Sequence, residues 1–329
     1  MLVTGATGFL GSHLCARLMA LGHESTAFRR RTSPTDRIAS PAVRCISGEL
    51  TDLEALRNAV ASHDVVIHAA ADIRSWPPEP DLQTRANVEG SRNVARACRQ
   101  EGVRRMIHVS SVSALGIPEN PLRPADEDFH FDLRGPGFNY HLSKKLAEDA
   151  ILEEVAGGLD AVIVNPGSLF GPYGSAYRGS EMIGKAARGK LVPCFSGGRC
   201  AVHVDDVVDG ILAAVEKGIR GNRYILGGEN VSYRQIAMRS ANALHLHPVL
   251  PTVPSWCVEM LKSVAIPIGQ LRRRTPPFAA HFFDNRWQYY SSEKARSALG
   301  YAPRGFDQII DEWVVWRRGK ATAGKADEL

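Results

Sequence analysis

Tyr140 and Lys144 stand four residues apart in "NYHLSKKLAED", which puts a phenol and an ammonium on one face of a helix. A free tyrosine titrates near ~10. A neighbouring ammonium favours the phenolate and draws that value down, so the phenol exchanges a proton with a substrate oxygen near neutral pH. One strand earlier, "HVSSVSALG" offers the hydroxyls of Ser110, Ser111 and Ser113. A serine there holds the oxygen on which the phenol acts. Such a trio suits redox chemistry at a carbon–oxygen bond, with a bound cofactor carrying the electrons.

Three glycines supply a place for that cofactor. "MLVTGATGFLGSHLCARLMALGH" sets Gly5, Gly8 and Gly11 between a short apolar strand and an apolar-periodic helix. The first glycine permits a tight turn, the second lets the backbone approach a pyrophosphate, and the third lets helix and strand pack closely. The pyrophosphate then rests on the helix N-terminus, where amide donors and the helix dipole favour an anion.

These groups need a frame that carries them to one edge. Strand-like and helix-like segments alternate: "ESTAF", "DLEALRNAVA", "DVVIHAAA", Asn87–Gln100, "RMIHVSSVSA", Tyr140–Val155 and "DAVIVNPG". This rhythm predicts an α/β fold, a doubly wound parallel sheet of Rossmann type with helices on both faces. "DVVIHAAA" is an apolar run rather than an alternating one, as a strand buried on both faces requires. Beyond Gly167 the rhythm loosens, and the proline- and aromatic-rich C-terminal third predicts a smaller substrate-binding cap. The expected division is 1–165 with 200–227 for the dinucleotide-binding domain, 166–199 with 228–318 for the cap, and 319–329 for a flexible tail.

Composition excludes several classes. The chain has 329 residues, 44% hydrophobic and 23% charged, enough for a sizeable core. A net charge of +5 does not call for nucleic acid. The six cysteines form no CxxC pair, which suits free thiols in a reducing compartment. No signal peptide is expected, and no segment supplies the roughly 20 apolar residues of a membrane span. A cytoplasmic location follows as the expectation. His203 with Asp205 and Asp206, and His245 with His247, lack the spacing of a metal site, so no metal is expected. His13, His23 and His68 are assigned to the fold.

The GxxGxxG spacing resembles the extended short-chain dehydrogenase/reductases, the NAD-dependent epimerase/dehydratase superfamily. The likeness runs through "DVVIHAAA", "ANVEGSRNVARAC", "NPGSLFGP" and "AVHVDDVVDGILAAVEKG", covering nearly all of residues 1 to 315. "NRYILGGENVSYRQI" and "YYSSEKARSALGYAP" look most like the dihydroflavonol-reductase-like and hopanoid-associated epimerase-like group. The resemblance implies that Ser111, five residues before Gly116, is the active hydroxyl. Ser113, on the same face if the strand alternation continues, stays as the second choice. It implies that Ala69 and Ala70 line the cofactor and that Asn87 is the structural asparagine. Pro166, Gly167 and Ser168 are placed at the nicotinamide amide. The implied cofactor set also takes in Thr7, Phe9, Leu10, Glu49, Leu50, Ala71 and Val109, besides Tyr140 and Lys144. A homodimer through the helices of Asn87 and Tyr140 is implied as well.

The reaction turns on the cofactor. Val112 and Ser113 stand where a dehydratase of this family carries an acidic pair, which argues against dehydration. At the end of the second strand, Arg29 occupies the place of the carboxylate that bonds a ribose 2′-OH. A carboxylate repels a 2′-phosphate, whereas guanidinium groups bind it. NADP(H) is the expected cofactor, held by Arg29 or Arg30. Arg199 stands where sugar-nucleotide enzymes often have an arginine, but a second is missing, and "PPFAAHFFDN" offers aromatics instead. The cap segment "VPSWCVEMLKSVAIPI" is apolar. The expected activity is NADPH-dependent reduction of a ketone or aldehyde in a largely apolar small molecule. The loop 117–139 is expected to close over it, with Asn139, Ser113 and Arg199 in reach. An NAD-dependent sugar-nucleotide epimerase is the first alternative, and a non-catalytic cofactor-binding protein the second.

Overall fold

The computed structural model describes residues 1–38, 43–74, 80–133, 137–172, 183–184, 193–247, 249–272, 276 and 285–322. The strands are β1 (Leu2–Thr4), β2 (Thr26–Arg29), β3 (Arg44–Ser47), β4 (Val65–His68), β5 (Arg105–Val109) and β6 (Ala161–Pro166). They are followed by β7 (Ser168–Phe170), β8 (Cys194–Phe195), β9 (Gly198–His203), β10 (Arg223–Leu226), β11 (Glu229–Ser232), β12 (Thr252–Val253) and β13 (Trp287–Gln288). The helices are α1 (Phe9–Ala20), α2 (Leu53–Val60), α3 (Pro80–Thr84), α4 (Gly90–Gln100) and α5 (Asn139–Ala156). Then come α6 (Val204–Lys217), α7 (Tyr233–Ala243), α8 (Ser255–Leu271), α9 (Glu293–Leu299) and α10 (Phe306–Thr322).

Seven strands form one parallel sheet in the order β10-β6-β5-β4-β1-β2-β3. The expected doubly wound Rossmann fold is present. The chain winds outward from β1 to β3, then returns to lay β4 on the other side of β1. That reversal opens a crevice at the C-terminal ends of β1 and β4, where such sheets bind ligands.

Successive strand residues serve opposite faces. Val3, Ile67, Ile107, Val162 and Val164 pack with α1 and α6. Leu2, Val66, Met106, Ala161 and Ile163 pack with α2, α4 and α5. Both faces are therefore dry, which explains why these strands read as continuous apolar runs.

A second sheet holds β11, β9 and β13, with β7 also paired to β9. It packs against α7 and α10 through Phe170, Val231, Tyr233, Phe306, Ile309 and Trp313. β9 pairs within it, although residues from 200 onward were expected with the nucleotide-binding unit. α6 and β10, which follow, belong to the central layers.

Three local features depart from expectation. β3 is a strand whose sequence gave no alternation or apolar run to find it by. The helix expected from Asn87 begins as a π-helical turn, Arg85–Glu89, before α4. α10 continues to Thr322, past the expected start of the tail. The rest of the tail, 323–329, lies outside the described residues, as do Arg273, Arg274 and most of "PPFAAHFFDN".

Candidate active site

Gly5 closes β1 with φ +73°, a conformation that glycine adopts without strain. A Cβ on Gly5 would lie 2.7 Å from the Ala69 carbonyl carbon and the Ala70 nitrogen, so the turn and the exit of β4 form one floor. A Cβ on Gly11 would lie 2.1 Å from the Gly5 oxygen. Gly8, extended at ψ 174°, caps α1, and no acidic side chain occupies that helix's first turn. The cradle fits a dinucleotide pyrophosphate: close backbone, a helix N-terminus and no opposing charge. Thr7, Phe9 and Leu10 fall within the same turn and helix start, while Ala71 follows Ala70 and is exposed.

A buried hydrogen-bond chain ties this floor to α5, the helix of Tyr140 and Lys144. The Ala70 amide donates to Thr4 Oγ1 at 3.3 Å, and Thr4 Oγ1 meets His68 Nδ1 at 2.7 Å. His68 Nε2 meets Ser91 Oγ at 3.0 Å, and Ser91 donates to the Asn87 carbonyl at 2.6 Å. Because Ser91 spends its proton on Asn87, His68 donates from Nε2 and accepts at Nδ1. Burial holds His68 neutral, pushing its pKa down to about 3, with the Lys144 charge adding to the shift. The Asn87 side chain then donates to Ser143 Oγ at 2.9 Å, and Ser143 donates to the Tyr140 carbonyl at 2.9 Å. Asn87 also bonds both main-chain groups of Asp72, accepting from its amide at 2.7 Å and donating to its carbonyl at 3.0 Å. The π-helical turn carries Asn87 at this junction, a frequent use of that geometry.

Tyr140 is partly exposed near the start of α5. Lys144, one turn on, is 2% exposed, and its Nζ donates to the Val109 carbonyl at 2.9 Å. Burial draws the Lys144 pKa down to about 8, while Glu148 pulls it up. Glu148, one further turn along, is 1% exposed. Its Oε1 accepts from Asn165 Nδ2 at 2.6 Å, and its Oε2 from Arg223 at 3.4 Å. Burial raises its carboxyl pKa against those bonds and charges.

Ser111 lies beyond the end of β5, over which α5 packs through the turn that follows. Its carbonyl accepts from Asn165 Nδ2 at 3.0 Å. Its hydroxyl accepts from the Ser113 amide at 3.1 Å and caps the 3₁₀ turn Val112–Ala114. The backbone is helical there, so period-two alternation stops. The expectation that Ser113 shares a strand face with Ser111 is corrected. Gly116 follows at φ +104°, its carbonyl accepting from the buried Tyr290 hydroxyl at 2.6 Å.

Arg199 reaches this side from β9. Its Nε donates to Tyr233 Oη at 2.8 Å, and another guanidinium nitrogen lies 3.5 Å from Ser168 Oγ. His141, beside Tyr140 on α5, is buried, and burial with the Arg199 charge draws its pKa down to about 4. Pro166 ends β6, and a Cβ on Gly167 would lie 2.7 Å from the Cys200 carbonyl oxygen. Asn139 is the first residue of α5. The loop after Gly116 is tied down at Ala125, which pairs with Tyr290, and at Glu127, whose carboxylate accepts from the Ile225 amide at 2.8 Å.

At the end of β2, one Arg29 nitrogen donates to the carbonyls of Arg30, Arg31 and Ser33, at 3.1 to 3.3 Å. Among the described residues its buried Nε has no partner. Arg30 is exposed. Glu49 is exposed too, whereas Leu50 packs on Gly90 and accepts from Asn93 at 3.1 Å. His203 is buried and caps α6, and Asp206 bonds Arg304 at 2.9 Å. Among the described residues, no group of three His, Cys, Asp or Glu is placed to hold a metal. Among the described residues, none of the six cysteines forms a disulfide.

The sequence profile of the NAD dependent epimerase/dehydratase family matches residues 1–227. The chain belongs to this family. Among curated members it is similar to sterol demethylase protein B of Methylococcus capsulatus, 32% identical over 96% of this chain and 98% of that one. It is 29% identical to a putative dihydroflavonol 4-reductase of Synechocystis, over 95% and 93% of the two chains. The solved structure of gox2253 superposes with a TM-score of 0.85 at 33% identity, covering 97% of each chain. UDP-glucose 4-epimerase of Thermus thermophilus, solved with NAD, superposes at 0.77 with 24% identity, covering 97% and 98%, a likeness of fold. The curated relatives set the chain among the family's oxidoreductases.

Glu148, Asn165 and Ser143 are the participants that sequence reasoning passed over, whereas His68, assigned to the fold, does sit in its buried hydrogen-bond chain. Glu148 alone carried a local signal, repeating the four-residue step from Tyr140 through Lys144.

Proposed function

We propose that this chain is an NADPH-dependent carbonyl reductase acting on a ketone or aldehyde of a largely apolar small molecule. The observation that carries the reading is the buried Lys144, fixed on the Val109 carbonyl one turn behind the partly exposed Tyr140. When bound, the reduced dinucleotide supplies the hydride taken up by the carbonyl carbon. Tyr140 Oη gives its proton to the carbonyl oxygen as charge develops there, and the Ser111 hydroxyl donates to the same oxygen. The Lys144 charge favours the phenolate that Tyr140 leaves behind.

NADP(H) rather than NAD(H) is favoured by the end of β2, where Arg29 holds an unpartnered buried donor and Arg30 stands exposed beside it. The relative named for a sterol supports an apolar substrate. Residues 166–199 and 228–318 are proposed as the cap, with Ser113, Asn139 and Arg199 facing substrate. A cytoplasmic homodimer, paired through α4 and α5, completes the proposal.

The deciding experiment is NADPH oxidation across aromatic ketones, sterols and UDP-sugars, with KM for both cofactors. Turnover of an apolar ketone with NADPH, abolished in Tyr140→Phe, supports the reading. Tightly held NAD and turnover of a UDP-sugar would instead identify an epimerase.

A further inference from the structure

α8 turns an apolar face outward. Trp256 is 65% exposed, Met260 60%, Val264 57% and Leu271 87%, with Ile268 at 39% completing the row. Steps of four and three residues hold these side chains within one arc of about 120° on a helix. The opposite side is apolar too and already buried, with Val258 and Ala265 facing inward. A helix that merely covers a core places polar residues on its outer face. Here the polar residues are pushed to a flank, where Lys262 bonds Glu259 at 2.9 Å and Asn285 at 3.5 Å.

Charge accompanies the stripe. Residues 255–274 contain Lys262, Arg272, Arg273 and Arg274 against one carboxylate, Glu259. Arg272 is exposed immediately after the helix, next to Leu271. At seventeen residues, with two charges inside, α8 is too short and too polar to cross a bilayer, and no helix among the described residues qualifies.

We propose that α8 docks flat on an anionic membrane surface. Trp256, Met260, Val264, Ile268 and Leu271 enter the boundary between headgroups and acyl chains, and the exposed Arg272 after the helix meets anionic lipid. An outward apolar row that ends beside an exposed arginine fits this occupant, because burial and electrostatic attraction act at the same place. The proposal does not depend on the reaction, which NADPH oxidation reports separately.

The test is co-sedimentation of the full chain with vesicles of phosphatidylcholine containing phosphatidylglycerol, against phosphatidylcholine alone, at low and high salt. Binding to the anionic vesicles, weakened by salt, is expected. Arg272→Glu should weaken it roughly tenfold, losing one cation and adding one repulsive charge. Trp256→Ser combined with Met260→Ser and Val264→Ser should abolish it without lowering thermal stability, since all three side chains already face water. Failure to bind, or equal binding by these variants, overturns the proposal. So does a drop in oligomeric state in the triple variant, which would make the face a contact between copies.

Discussion

The side-chain amide of Asn165 holds the Ser111 carbonyl at 3.0 Å. Its second proton goes to Glu148 at 2.6 Å, so one NH₂ group links the turn bearing the hydroxyl to the helix bearing Tyr140 and Lys144. Asn165→Leu removes both bonds and leaves a buried carboxylate short of a donor. Stability should fall by about 1–3 kcal/mol in urea unfolding. Turnover should fall by about a hundredfold as Ser111 loses its registry with Tyr140, at unchanged NADPH affinity.

Glu148→Gln separates charge from shape. The amide oxygen still accepts from Asn165, but Lys144 loses the carboxylate that supports its proton. Lys144 is a base whose value burial has lowered to about 8, so its charge is lost as pH rises through that point. The alkaline limb of kcat/KM, which reports the free enzyme, should therefore move to lower pH in the variant. An alkaline limb that stays in place would show that Glu148 serves packing alone.

Arg29 and Arg30 should respond differently to alanine. Arg29 braces its own turn through three carbonyls. Arg29→Ala should lower the melting temperature and weaken both dinucleotides. Arg30 is exposed, and Arg30→Ala should raise the KM for NADPH about tenfold while leaving NADH unchanged, the loss of one charge-assisted contact. Equal effects of Arg30→Ala on the two cofactors would remove the case for a 2′-phosphate site.

His68 makes stability depend on acid. Its pKa is about 3 in the fold and near ~6.5 in an unfolded chain, so the unfolded state binds the extra proton as pH falls below ~6.5. Stability is full above that value and declines below it, in the same sense for buried His108 and His141, which burial also shifts downward. His68→Phe breaks the chain from Thr4 to Ser91 and should cost about 1–3 kcal/mol at neutral pH. The decline between pH 7 and 5, followed by urea unfolding, should become shallower than in the unaltered chain.

The sequence by itself determined what lies within a few residues. The turn from Gly5 to Gly11 and the four-residue step from Tyr140 to Lys144 are local geometry, and the buried strands declared themselves by unbroken apolar runs. Local backbone misled at Val112–Ala114, where Ser111 caps a 3₁₀ turn and ends the alternation that linked it to Ser113. Tertiary structure decided which distant polar groups meet. Parallel register sets Thr4 beside His68 and His68 beside His108, and the helices above bring Ser91, Asn87 and Ser143 to close the chain. One register neighbour, His108, has no hydrogen-bond partner among the described residues. Its neighbour His68 has two side-chain partners, Thr4 and Ser91, a distinction no residue type or spacing encodes. Burial, which sets the Lys144 charge near neutral pH, likewise exists only once the layers have packed.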